Sequence, residues 1–157
     1  MTIRPAVAAD LDAMLALARA CFGLSAWTRD HFLPRVGITP ERDAFVADLP
    51  AQACAGYIVL EYGLDDAELQ SLAVREECRC RGIGDALLAA GVAATLRQGA
   101  ARILLEVRAG NAAAQRFYLQ RGFAECGRRP HYYHHPDEEA VLMRRLLAPA
   151  HPYPSAR

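Results

Sequence analysis

The chain has 157 residues, 53% of them hydrophobic, which is enough for a single domain with its own core. Eighteen basic residues balance eighteen acidic ones, and this argues against a nucleic-acid-binding protein that relies on a broad basic face. The sequence shows no signal segment and no apolar run of membrane-spanning length, so we expect a cytoplasmic protein without membrane contact. We predict a domain over residues 1–148, followed by a flexible tail over residues 149–157 that lacks an apolar pattern.

The cysteine pattern argues against both disulfides and a metal centre. The five cysteines are odd in number and show no C-x-x-C spacing, which is typical of free thiols in a reducing compartment. Cys78 and Cys80 and the later histidines match no zinc-ligand spacing, so we predict no bound metal. The cysteines are Cys21, Cys54, Cys78, Cys80 and Cys126.

The first half of the chain predicts a short strand, two helices and then strands. The strand covers Thr2–Arg4, and the first helix covers Asp10–Cys21, because apolar residues recur there at helical spacing. A loop with Trp27 leads to Thr28, which is suited to cap a short second helix. The apolar face of the first helix comprises Leu11, Met14, Leu15 and Ala18.

Two further strands, Phe45–Leu49 and Ala53–Tyr62, precede the most informative segment. There an apolar strand, Leu69–Val74, runs through Arg79-Cys80-Arg81-Gly82-Ile83-Gly84 into a helix that begins near Asp85. Glycines let a main chain approach an anion closely, and the free N–H groups of a first helical turn attract negative charge. We call Arg79–Gly84 the phosphate loop.

Spacing decides which kind of phosphate loop this is. A P-loop would need Lys and Ser or Thr after its last glycine, whereas Asp85 and Ala86 follow Gly84. A dinucleotide-binding loop would need a third glycine where the chain has Leu87. The remaining pattern, R-x-x-G-x-G, resembles the acyl-CoA pyrophosphate loop of the GCN5-related N-acetyltransferases. It is also compatible with a plain strand-to-helix turn that carries solvated arginines.

A second strand and helix follow. Arg102–Arg108 reads as a buried strand that contains one carboxylate, Glu106. This side chain pairs with Arg108 or Arg102, reaches water at the strand end, or has a chemical role. Asn111 is suited to cap the next helix, predicted over Ala112–Arg121 and ended by Gly122.

The predicted elements end with a strand at Phe123–Cys126, a loop over Arg128–Asp137 and a last strand around Val141. The loop holds a pair of tyrosines, Tyr132 and Tyr133, which either clamp a ligand or cover the sheet. The order of elements predicts a mixed, mostly antiparallel α/β sheet flanked by helices.

The motifs resemble the GCN5-related N-acetyltransferases, and in particular their branch that acetylates ribosomal-protein alanine N-termini. The similar segments are the phosphate loop, Leu-Glu-Val-Arg-Ala-Gly-Asn from Leu105 to Asn111, Phe117-Tyr118, Arg121-Gly122-Phe123 and the Arg129–Tyr133 segment. They cover about half of the chain, from Leu69 to Leu147, and the likeness over the first half is loose.

The resemblance implies roles for individual residues. Glu106 is expected to be the general base, in a low-dielectric strand end that raises its pKa, and Tyr118 the general acid instead of merely a core aromatic. Asn111 would contact the pantetheine arm, which is compatible with a capping role. The residues expected to bind acetyl-CoA are Leu72, Ala73, Val74, Arg79, Arg81, Gly82, Ile83, Gly84, Asp85, Asn111 and Tyr118.

The residues of the first half leave the identity of the acceptor open. Trp27, Tyr132 and Tyr133 are expected to contact it. The first hypothesis is acetyl transfer to a protein N-terminus, that of a small-subunit ribosomal protein. The second is transfer to a small amine or amino acid, which the Pro- and Gly-containing segment Leu33–Arg42 leaves open. A third is a silent acyl-CoA-binding module that regulates a partner.

Overall fold

A computed structural model describes residues 1–37 and 39–147 of the chain. The predicted flexible tail, residues 149–157, lies outside the described residues, so that prediction stays untested. The order of elements agrees with the order that the sequence predicts: strand, two helices, three strands, helix, strand, helix and two strands.

The strands are β1 (Thr2–Pro5), β2 (Arg42–Leu49), β3 (Gln52–Tyr62), β4 (Asp66–Val74), β5 (Arg102–Arg108), β6 (Ala124–Tyr133) and β7 (Glu138–Leu146). The helices are α1 (Leu11–Phe22), α2 (Arg29–Phe32), α3 (Ile83–Arg97) and α4 (Ala112–Leu119). Short 3-10 turns cover Ala8–Asp10, Gly23–Ser25, Leu33–Arg35 and Glu76–Cys78.

All seven strands form one sheet in the order β1-β2-β3-β4-β5-β7-β6. Neighbours are antiparallel except β4 and β5, which run parallel, so the prediction of a mostly antiparallel α/β sheet is confirmed. Several boundaries were predicted too narrowly. β4 begins at Asp66 instead of Leu69 and β2 at Arg42 instead of Phe45, because backbone pairing extends past the apolar run on each strand.

Helices cover both faces of this sheet. The predicted apolar face of α1 is buried, with Met14 and Ala18 fully covered, and it packs with Phe32 of α2 on alternate strand residues such as Val46 and Tyr57. The intervening residue Phe45 belongs to the opposite core, as the two-residue repeat of a strand requires.

The opposite core lies beneath α3 and α4. Ile83, Leu87 and Leu88 of α3 pack there with Ile58 of β3 and with Ile103 of β5. Gly91 makes this close approach possible, because a Cβ atom at this position would lie 3.0 Å from the Ile58 side chain. The helix is therefore seated tightly on the sheet, and its N-terminus is held at the end of β4.

The parallel contact between β4 and β5 is short. Their backbones pair only between Asp66–Glu68 and Arg102–Leu104, although β4 continues to Val74 and β5 to Arg108. An irregularity in the β3–β4 pairing falls at the same level, between Ser71 and Leu69. The β5-facing edge of β4 is consequently unpaired over Leu72, Ala73 and Val74, which the sequence predicts to bind acetyl-CoA.

Among residues 1–37 and 39–147, no helix combines the length and the apolar character needed to cross a membrane. All five cysteines are free, as their spacing predicts.

Candidate active site

A cavity of about 500 Å³ opens on the sheet face that carries α1 and α2, over β5, β7 and β6. Glu106 lies in its lining together with Trp27, Tyr132 and Tyr133, so the structure brings the predicted base and the predicted acceptor contacts into one site. We call this cavity the Glu106 groove. The other lining residues are Glu68, Leu69, Gln70, Leu104, Leu105, Cys126, Arg129, Leu142 and Met143.

Alternation along β5 directs Glu106 into this groove. Ile103, Leu105 and Val107 are buried under α3 and α4, whereas Glu106 lies on the other face of the strand. The prediction that Arg102–Arg108 forms a strand is confirmed to the residue, but only one of its faces is fully buried.

The low-dielectric environment predicted for Glu106 is wrong, whereas the alternative of a side chain that reaches water agrees with the structure. Its side chain is 30% exposed, and its Oε1 lies 3.5 Å from Nη1 of Arg129 on β6. Neither predicted partner takes part, because Arg102 lies four residues away, about 13 Å along an extended strand, and pairs with Asp66. Arg108 pairs with Glu138 instead. The carboxylate is therefore open to the groove and has a cation on one side.

The two tyrosines belong to a strand, which corrects the predicted loop over Arg128–Asp137. β6 continues to Tyr133, since pairing with β7 satisfies the backbone and an edge strand tolerates Pro130. The side-chain hydrogen bond to Glu106 and partial burial raise the pKa of Tyr132 to about 12. Burial, with the charge of Glu106, raises the pKa of Tyr133 to about 12, so both phenols keep their protons at neutral pH.

Tyr118 lies on the opposite face of the sheet, in the core beneath α3 and α4. It is 8% exposed and packs edge-to-face between Phe117 and Phe123, with ring centroids 5.2 and 5.3 Å away. Burial raises the pKa of its phenol well above the ordinary value, and Tyr133 adds to this effect. This core position is compatible with the predicted proton-donor role, because a buried phenol does not ionise at neutral pH.

The phosphate loop has the backbone that an anion site requires. Gly82 caps α3 in the left-handed region at φ 77°, with open space where a Cβ atom would point. At Gly84 a Cβ atom would lie 3.0 Å from the Phe117 ring, so glycine also allows α3 and α4 to touch. The buried Ile83 side chain anchors the first turn, whose backbone N–H groups have no acceptor within an α-helix.

The charged residues of this loop divide into two groups. Arg79 and Arg81 are exposed, and Arg79 is tied back to β4 by a 3.2 Å bond from its Nε to the Val74 carbonyl. Asp85 accepts hydrogen bonds from Arg121, which lower the pKa of its carboxyl group. Only the backbone of Asp85 is therefore suited to face a polyanion.

Asn111 is the N-cap of α4, and its Oδ1 accepts a 3.1 Å hydrogen bond from the Ala114 N–H. The capping alternative for this residue is confirmed, and its side-chain amide N–H group stays available for a ligand. The helix itself ends at Leu119, two residues before the predicted end.

In the part of the chain that the structure describes, histidine, cysteine, aspartate and glutamate side chains do not assemble into groups of three that could hold a metal ion.

Comparison with known proteins decides the family. Residues 11–123, well over half of the chain, match the profile of the acetyltransferase (GNAT) family. The chain belongs to the GNAT family. It is also 30% identical over 134 residues to a Bacillus subtilis protein. The name of that protein assigns it, by inference, the activity of a ribosomal protein bS18-alanine N-acetyltransferase. That match covers 85% of this chain and 87% of the relative.

Two Escherichia coli comparisons agree with this assignment. The ribosomal protein bS18-alanine N-acetyltransferase of strain K12 is 37% identical over 91 residues, which span 57% of this chain and 62% of that protein. The crystal structure of the ribosomal-protein-S18-alanine N-acetyltransferase from Escherichia coli has a TM-score of 0.82 at 29% identity and covers 97% of this chain and 98% of that chain. This GNAT protein is therefore an N-acetyltransferase with the fold of its family.

Sequence reasoning missed two residues at or beside the Glu106 groove. Arg129 lines the groove and approaches Glu106, and Arg108 lies with its guanidinium 4.4 Å from the ring centroid of Tyr133. Both stand in segments that carry the resemblance, but only the β5-β7-β6 order brings Arg129 to Glu106 and Arg108 to Tyr133. The one local signal is that Arg108 follows Glu106 by two residues, which places both on one face of a strand.

Proposed function

We propose that this acetyltransferase uses acetyl-CoA to acetylate the N-terminal α-amino group of a protein. The observation that carries the proposal is the position of Glu106, an open carboxylate in a groove that also contains Trp27, Tyr132 and Tyr133. Across the sheet from this groove, the unpaired edge of β4 and the phosphate loop form a path that ends at the N-terminus of α3.

The cofactor would lie along this path. Arg79, Arg81 and the backbone N–H groups of Gly82–Asp85 would hold its pyrophosphate, because they place positive charge and free donors at one end of α3. The open edge at Leu72, Ala73 and Val74 would pair with the pantetheine amides, as a strand edge pairs with an added strand. Bound acetyl-CoA supplies an acetyl group activated as a thioester. Asn111 would contact the same arm through its side-chain amide.

Glu106 would take the proton that the acceptor amine must lose. An α-amino group has a pKa near 8 and is mostly protonated at neutral pH, so it needs a base before it can attack a carbonyl carbon. The Glu106 carboxylate would accept this proton directly or through one water molecule. Arg129 and Tyr132 hold its orientation from the far side of the groove.

Tyr118 would donate a proton to the departing thiolate. Its raised pKa ensures that the phenol is protonated at neutral pH, and its position between Phe117 and Phe123 fixes the ring. The base and the acid would then act from opposite faces of the sheet, and the unpaired edge of β4 lies between them.

The groove suits the end of a peptide chain. Its lining combines apolar rings and side chains with a few polar groups, and these include Glu68 and Gln70 on β4. The Escherichia coli and Bacillus subtilis relatives are named for an alanine of ribosomal protein bS18, so a ribosomal protein is the acceptor that we propose first. Such an acceptor would place the reaction in the cytoplasm.

The experiment is thiol release from acetyl-CoA against a matched acceptor panel. The panel contains peptides with a free N-terminal Ala or Ser, the same peptides with blocked N-termini, and small amines. The chain contains no lysine, so acetylation of lysines on the enzyme itself cannot contribute to the signal. Release with free peptides alone is the expected result. Release with small amines alone would show that the acceptor is a small amine and not a protein. Binding of CoA without any thiol release would indicate a silent acyl-CoA-binding module.

A further inference from the structure

Arg108 is the residue that joins separate parts of the Glu106 groove. It ends β5, two residues after Glu106 and on the same strand face. Its Nη1 donates to the Pro136 carbonyl at 3.2 Å and to Oε1 of Glu138 at 3.2 Å. Its Nη2 donates to the His134 carbonyl at 3.3 Å and to the Ser25 hydroxyl.

These partners belong to two different segments at the groove. Ser25 ends the 3-10 turn Gly23–Ser25 and is two residues from Trp27, which lines one side of the groove. His134 and Pro136 form the turn after β6, the strand that carries both groove tyrosines. One guanidinium therefore connects the segment between α1 and α2 to the β6–β7 turn, although these segments are more than 80 residues apart in the chain.

The same guanidinium also packs on a groove residue. Its carbon lies 4.4 Å from the ring centroid of Tyr133, which in turn stands 5.0 Å from Tyr132. A cation over an aromatic face fixes the plane of the ring. Glu138, the ionic partner of Arg108, accepts a second bond of 2.7 Å from the Gly110 N–H, and this ties the arrangement to the loop before α4.

We infer that Arg108 is a positioning residue that fastens the Trp27 wall of the Glu106 groove to its tyrosine wall and so sets the width of the groove. The planar fork of arginine is needed, because four acceptors and one ring face surround the group and a lysine ammonium matches only part of this set. Arg108 itself does not line the cavity, so its effect on the acceptor is indirect.

Fluorescence of Trp27 tests this inference without any knowledge of the acceptor. Trp27 is the sole tryptophan of the chain, and it stands beside the turn that Arg108 holds. Acrylamide quenching is compared among the wild-type protein, Arg108→Ala, Arg108→Lys and Ser25→Ala. We expect the quenching constant to rise roughly two-fold in Arg108→Ala, since the turn opens more easily without its anchor. Arg108→Lys should restore only part of the difference.

Arg102→Ala is the matched control. Arg102 stands at the other end of the same strand and pairs with Asp66, far from Trp27. Its loss should leave the quenching constant at the wild-type value. Ser25→Ala removes only the contact to the Trp27 wall, so it should raise quenching as well and keeps the inference testable if Arg108→Ala does not fold. The double variant of Arg108 and Ser25 should match Arg108→Ala, because the two side chains share one interaction.

Steady-state kinetics supply the second readout, and this part rests on the proposed acetyl transfer. For Arg108→Ala we expect kcat/KM for the peptide acceptor to fall roughly 10- to 100-fold, as for other small misplacements of substrate, while KM for acetyl-CoA stays near its wild-type value. Failure of the wild-type enzyme on all acceptors would contradict the proposed function and leave the fluorescence result standing. Unchanged quenching in both Arg108→Ala and Ser25→Ala would overturn the inference.

Discussion

The phosphate loop and the Glu106 groove share one sheet but are assembled differently. The phosphate loop is continuous in the chain, from Arg79 to Gly84, and its chemistry resides largely in backbone conformation at the start of α3. The groove is built from the α1–α2 segment, β4, β5, β6 and β7, which only the sheet brings together. On the proposed function, the cofactor side is set by spacing along the chain, whereas the acceptor side depends on side-chain contacts that can change without disturbing the fold.

If this contrast is right, changing the groove carboxylate should stop chemistry and spare the cofactor. Glu106→Gln should lower kcat roughly 10³-fold, because the amine loses its proton acceptor, while the affinity for acetyl-CoA is unchanged. Glu125→Gln on β6 is the control, since Glu125 pairs with Arg128 and does not line the groove. Turnover near the wild-type rate in Glu106→Gln would remove the assigned base.

Tyr118 sharpens the contrast, since it lies on the α3–α4 side of the sheet and yet is proposed to act as the general acid. Tyr118→Phe should lower kcat roughly 10²-fold, and Tyr62→Phe, whose hydroxyl donates to Asp43, should leave kcat unchanged. Burial raises the pKa of Tyr118 above its ordinary value near 10, so the protonated acid persists throughout the neutral range.

The raised pKa of Tyr118 determines how the rate should depend on pH. The rate should rise as the acceptor amine loses its proton, and ionisation of Tyr118 should cause no fall until the pH exceeds about 10. A falling limb between pH 7 and 9 that disappears in Tyr118→Phe would contradict this assignment.

Substitutions at the two glycines that flank α3 distinguish an effect on cofactor binding from an effect of backbone strain. Gly82 has φ 77° and Gly99 has φ 79°, and neither has an atom within 4 Å of a built Cβ atom. Gly82→Leu and Gly99→Leu should each lose about 1 kcal/mol of unfolding free energy, measured by urea denaturation. Only Gly82→Leu should weaken the binding of acetyl-CoA, roughly tenfold, because the leucine side chain occupies the approach to the helix N-terminus. Equal affinities in the two variants would end the assignment of the phosphate loop.

The smallest effect concerns Arg121, which neutralises Asp85 beside the phosphate loop and packs 3.8 Å from the Phe117 ring centroid. Arg121→Gln should raise the acetyl-CoA Kd about three-fold at low salt and less at high salt, since an unpaired carboxylate then stands near the pyrophosphate. Adding Asp85→Asn should restore the affinity. A double variant as weak as Arg121→Gln would assign the effect to packing on Phe117 instead.

The sequence predicted most of the fold because its elements depend on local spacing. The start of α3 is an exception, since Gly82 caps the helix and it begins at Ile83, two residues before the predicted Asp85. The apolar repeat of α1 and the bounds of β5 were readable from spacing. The surroundings of Glu106 were not readable from local spacing. Arg129 lies beside Glu106 only because β5 pairs with β7 and β7 pairs with β6. The sequence also predicts a loop at Tyr133, because Pro130 argues against a strand. A proline is tolerated there only because β6 lies at the edge of the sheet.

The most direct test locates the acetyl group on a product. A peptide with a free N-terminal alanine and one internal lysine is incubated with acetyl-CoA and either the wild-type protein or Glu106→Gln, and the acetylated position is read by tandem mass spectrometry. We predict acetylation of the alanine α-amino group by the wild-type protein and almost none by Glu106→Gln. Acetyl on the lysine alone, or equal N-terminal acetylation by both proteins, would contradict the account.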